Sequence, residues 1–102
     1  DFQTALADFQ KSLALSEKEN SDKNFQSKIY FNIGVCFYRM EEQARAVQEF
    51  ERALAANPNY EKAFYSLGMA QFELKNFREA EEAFLDAIRL NYQNGETWFD
   101  LA

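Results

Sequence analysis

The chain has 102 residues, a formal net charge of −6, 17% aromatic residues and only 3 Gly and 1 Pro. So few chain breakers point to a single, mostly helical domain. No two Lys or Arg residues adjoin, there is no His, and no apolar run nears the ~20 residues of a membrane span. These absences argue against a phosphate-binding surface, general-base catalysis and membrane insertion.

Six helices are predicted in chain order. The first covers 1–16, with Phe2, Ala5, Leu6, Phe9 and Leu13 at three-to-four-residue spacing. Residues 17–25 are polar and read as a loop, or as a frayed helix end plus a loop, within the connection 17–26. The second helix covers 26–40 and carries Tyr30, Ile33, Gly34 and Phe37. After a break near Glu41–Gln43 the third runs from Ala44 to Ala56, where Asn57-Pro58-Asn59 stops it. Helices over 60–74 and 77–90 follow, broken at Lys75-Asn76. Asn94-Gly95 opens a sixth.

Gly34 and Gly68 stand 34 residues apart, and their surroundings repeat at that offset. Tyr30, Ile33, Ala46, Phe50 and Ala53 align with Phe64, Leu67, Ala80, Phe84 and Ala87. Phe37 over Gln71 breaks the pattern, and Phe72 is expected to supply the missing bulk. Ala5, Phe9 and Ser12 carry the spacing of Ala46, Phe50 and Ala53, and Trp98 and Leu101 repeat Phe64 and Leu67. The chain therefore divides into a second half-unit (1–16), a longer connection (17–26), two full units (27–60 and 61–94) and the start of another (95–102). It looks cut at both ends. A period of this size belongs to arrays whose units stack on their neighbours.

The pattern resembles the tetratricopeptide repeat, W-x2-L-G-x2-Y, then A-x3-F, then Pro. Here it reads Y-x2-I-G-x2-F from Tyr30, A-x3-F from Ala46, and Pro58; the second copy has Gln71 and Tyr92 as departures. The resemblance implies an all-α fold of tandem antiparallel helix pairs in a right-handed superhelix. It also implies that the first helix of each pair lines a concave groove that binds a peptide, a helix or a partner subunit. The implied groove residues are Lys28, Phe31, Asn32, Val35, Tyr38 and Arg39 in one unit, and Lys62, Tyr65, Ser66, Met69, Phe72 and Glu73 in the next. Phe99 and Asp100 extend the face. Its apolar members suit a partner with an apolar stripe, which makes the chain a scaffold or adaptor.

Two alternatives stand beside this reading. The segment is part of a longer solenoid whose own chain fills the groove, or it is a co-chaperone-type carboxylate clamp. The clamp shares only Asn32 and Lys62 with this chain, and Ser66 stands where Arg is needed for a bidentate contact. Were 1–102 the whole chain, Trp98, Phe99 and Leu101 would drive self-association. No catalytic residue, cofactor or metal set is expected, and the function is not that of an enzyme. Glu41/Glu42, Glu49/Glu51 and Glu79/Glu81/Glu82 read as solvated carboxylates on helix starts and outer faces. Cys36, the single cysteine, reads as a small core residue that fits a reducing, cytoplasmic setting. The 17–26 connection reads as a solvated linker, with partner binding as the alternative role.

Overall fold

The computed structural model describes residues 2–18 and 22–93. Among them are five helices: α1 (Phe2–Lys18), α2 (Lys23–Arg39), α3 (Gln43–Ala56), α4 (Glu61–Glu73) and α5 (Phe77–Gln93). Each packs on the next, and the described residues span 43 × 29 × 21 Å. The helix expected to open at Asn94-Gly95 lies outside the described residues.

The core sits where α1, α3 and α4 meet α2. Ile29, Ile33, Phe37, Ala46, Phe50 and Ala70 form its buried centre, and Leu6, Phe9 and Leu13 of α1 pack against it. Three of the four alanines of the repeat, Ala46, Ala53 and Ala80, are at most 2% exposed, and Ala87 is 7% exposed. The two glycines show why the helices come so close. A Cβ added at Gly34 would lie 2.6 Å from Phe50 Cε1, and one at Gly68 would lie 2.7 Å from Phe84 Cδ1. Each glycine is therefore the floor for the aromatic ring of its paired helix.

The turns inside the two pairs are built alike, and neither uses glycine. After α2, Glu42 N–H donates to Phe37 C=O (2.9 Å) and Glu41 N–H to Tyr38 C=O (3.0 Å). After α4, Asn76 N–H donates to Gln71 C=O (2.9 Å) and Lys75 N–H to Phe72 C=O (2.9 Å). These are Schellman closures of the helix carbonyls. Glu41 (φ 63°) and Lys75 (φ 66°) hold the left-handed position at which glycine is usual. Between the pairs, Asn57 Oδ1 accepts from Asn59 N–H (3.2 Å), an Asx turn around Pro58.

Three expectations need correction. The polar connection is shorter than 17–26, because α1 runs through Lys18 and α2 opens at Lys23. Asp22 caps α2 by accepting from Asn24 N–H (2.9 Å), and Ser27 Oγ–H donates to Asn24 C=O, so polar residues that look like a loop build a helix start. Phe72 does not replace the bulk missing at Gln71. It is 54% exposed and stacks edge-on against Phe77, while Gln71 stays buried and accepts from Asn76 Nδ2–H at 2.8 Å. Glu49 is not solvated. It is 8% exposed and pairs with the Arg52 guanidinium at 2.8 Å. Burial raises its carboxyl pKa above the ordinary value, and Arg52 opposes that shift. Cys36 is a buried free thiol, raised in pKa by desolvation.

Candidate interaction groove

A cavity of about 540 Å³ opens between α2 and α4. Val35, Tyr38 and Arg39 line it from α2 and Ser66, Met69 and Glu73 from α4; Val35 and Arg39, like Met69 and Glu73, stand about one helical turn apart. Phe50 forms its floor, held over Gly34. The regular spacing follows from the repeat, since Val35, Arg39 and their counterparts Met69 and Glu73 lie 34 residues apart. Six of the residues expected in the groove thus share one wall system.

Three further lining residues are not expected in the groove from the sequence: Phe2, Glu41 and Gln43. Phe2 comes from the start of α1, which lies beside the end of α2; Arg39 sits over its ring with 6.0 Å to the centroid. Only the packing of α1 could reveal this neighbour. Glu41 is placed by its left-handed turn. Gln43 donates a long Nε2–H bond to Tyr38 C=O (3.4 Å), while its Oε1 is buried without a donor.

The other expected groove residues are distributed differently. Phe31 is half-buried and lies between Phe50 (5.7 Å) and Tyr60 (5.1 Å), so it spaces α2, α3 and the start of α4. Lys62 and Tyr65 line a second cavity of about 540 Å³ with Glu61, Phe84, Ala87 and Ile88. That cavity is the counterpart, one repeat on, of the place where Tyr60 packs on Phe31, and the Tyr65–Phe84 pair (5.6 Å) mirrors Phe31–Phe50. Lys28 is exposed and Asn32 half-buried, and neither lines these two cavities. Of the two residues shared with a carboxylate clamp, Lys62 lines the second cavity and Asn32 lines neither. Phe72 faces the α4–α5 corner, and Phe99 and Asp100 lie outside the described residues.

Among the described residues no group of three His, Cys, Asp or Glu could hold a metal ion, and no helix is long and apolar enough to cross a membrane. The cavity between α2 and α4 is lined by both apolar and charged side chains. Two family models, both described as tetratricopeptide repeat, match residues 1–59 and 38–102. The chain belongs to the tetratricopeptide repeat family.

Individual tetratricopeptide relatives are more distant. Human tetratricopeptide repeat protein 16 is 30% identical over 86% of the chain, which covers 11% of that protein. Anaphase-promoting complex subunit 3 of Schizosaccharomyces pombe is 27% identical over 98% of the chain and 16% of its own length. The Hsp70/Hsp90 co-chaperone CNS1 of Saccharomyces cerevisiae is 29% identical over 80% and 20%. This chain thus spans about a tenth to a fifth of these relatives. In structure it superposes on MamA with a TM-score of 0.82, covering 94% of this chain and 52% of MamA at 21% identity, a likeness of fold. Tetratricopeptide repeats are generally non-enzymatic interaction modules.

Proposed function

We propose that this chain is a protein-interaction module that seats an apolar segment of a partner protein in the cavity between α2 and α4. The observation that carries the reading is the joint lining of one open cavity by Val35, Tyr38 and Met69 over the Phe50 floor. These side chains are only partly covered by the fold, and Met adapts to varied partner shapes. A partner helix or extended segment laid there would bury them as anchors. One relative is named a co-chaperone and another a subunit of a complex; both names fit a repeat that works by binding other proteins.

Phe31 is the wrong residue with which to test this, because its ring supports Phe50 and Tyr60. Met69→Lys is suitable: the residue is half-buried on the cavity wall, and the substitution keeps helix propensity. Proteins retained by the wild-type chain should be lost from the variant while its circular dichroism and melting curve stay near native. Retention of the same proteins by a folded Met69→Lys variant would reject the groove.

A further inference from the structure

The repeat reverses a charge inside the cavity. Arg39 and Glu73 occupy the same register in successive units, each in the last turn of its helix and each on the cavity wall. A cation there complements the negative end of a helix; an anion does not. Glu73 therefore sits where the helix dipole disfavours it, and α4 has no basic residue in its last turn to compensate. Nor does the neighbouring Arg39 compensate. Neither Arg39 nor Glu73 forms an ion pair with any described residue, and the guanidinium lies over the Phe2 ring instead. Glu41, also unpaired, places a second carboxylate on the rim, and the buried Gln43 Oε1 lacks a donor. The exposed carboxylates of Glu41 and Glu73 thus stand at this end of the groove, beside Arg39, within a chain of net charge −6.

We infer that the segment held in this groove carries a Lys or Arg side chain next to its apolar anchor, the anchor lying between Val35 and Met69 and the cation against Glu73 and Glu41. The inference rests on the groove reading above and adds the partner's charge. A residue that breaks a local rule beside an open cavity is where a functional constraint is expected. A partner cation gives Glu73 the opposite charge that the fold withholds.

The test uses two probes of equal apolar bulk, 4-phenylbutylamine and 4-phenylbutyrate, followed by backbone amide shifts of the whole chain at low salt. The amine should shift the amides of Val35, Met69 and Glu73 and bind about fivefold more tightly than the carboxylate, the size of one exposed ion pair. Glu73→Gln should reduce that preference, and Glu73→Lys should reverse it. In 0.5 M salt the preference should shrink. If both probes reach these amides with equal affinity, or the carboxylate binds better, the charge inference fails while the groove reading stands. If neither probe moves them, both fail. Shifts of the same amides on diluting the protein alone would mean that a second copy fills the cavity, and would overturn the inference.

Discussion

Gly34→Ala puts the close approach of α2 and α3 to a quantitative test. On propensity alone the change should stabilise α2 by about 1 kcal/mol. The new Cβ, however, would stand 2.6 Å from Phe50 Cε1 and 2.7 Å from Cδ1, roughly 0.8 Å inside ordinary contact. Phe50 has little room to yield: it is 1% exposed and its ring is flanked by Phe31. Overpacking of this kind costs about 1–3 kcal/mol. The expected net effect is a loss of about 0–2 kcal/mol, or a melting temperature lower by up to about 15 °C for a domain of this size. Thermal and urea unfolding followed at 222 nm would measure it. Phe50→Leu in the same chain should relieve the clash, so that the double variant is more stable than the sum of the two single effects by about 1 kcal/mol or more. A Gly34→Ala chain more stable than wild type, or strict additivity with Phe50→Leu, would refute the steric account.

Other consequences are simpler to state. Phe50→Ala removes the ring that fills the space over Gly34 and should cost about 3–5 kcal/mol in urea titration, much of the stability of a small domain. Asn76→Ala leaves the buried Gln71 Oε1 without its 2.8 Å donor and should cost about 1–3 kcal/mol by the same titration. Burial raises the Glu49 pKa, so folding favours the protonated acid. Its contribution is full below the unfolded value, about pH 4.3, and is lost as pH rises through the folded value. The Arg52 pair, with Arg52 itself largely exposed, returns only about 0–1 kcal/mol. Glu49→Gln should therefore be no less stable than wild type at pH 7, with any advantage vanishing toward pH 4 in melting curves taken across that range.

Much of the fold is legible in the sequence because it depends on residues whose size is the message. Gly34, Gly68 and the alanines of α3 and α5 announce close packing at a fixed interval, and the rings of Phe50 and Phe84 meet those glycines. The turns are less legible. A Schellman closure is usually marked by glycine, but here Glu41 and Lys75 take the left-handed position, so the pattern shows only a break. Gln71 also misleads. Its polarity suggests a vacancy for Phe72 to fill, whereas Asn76, five residues on, satisfies it and lets Phe72 turn outward. The groove follows the repeat where its walls come from equivalent positions, as with Val35 and Met69. It departs from the repeat where a neighbouring helix intervenes: Phe2 reaches the rim from α1, and Tyr60 caps Phe31 from the start of α4. Those contacts depend on how units stack, which no single unit's pattern encodes.

The groove claim is tested most directly by a photo-reactive benzoylphenylalanine placed at position 69, on the cavity wall, and in a second chain at position 82, on the exposed face of α5. Irradiated in extract, the chain labelled at 69 should form defined protein adducts that the chain labelled at 82 does not, and Glu73→Lys should diminish them. Adducts formed equally from both positions, or from 82 alone, would contradict a partner seated between α2 and α4.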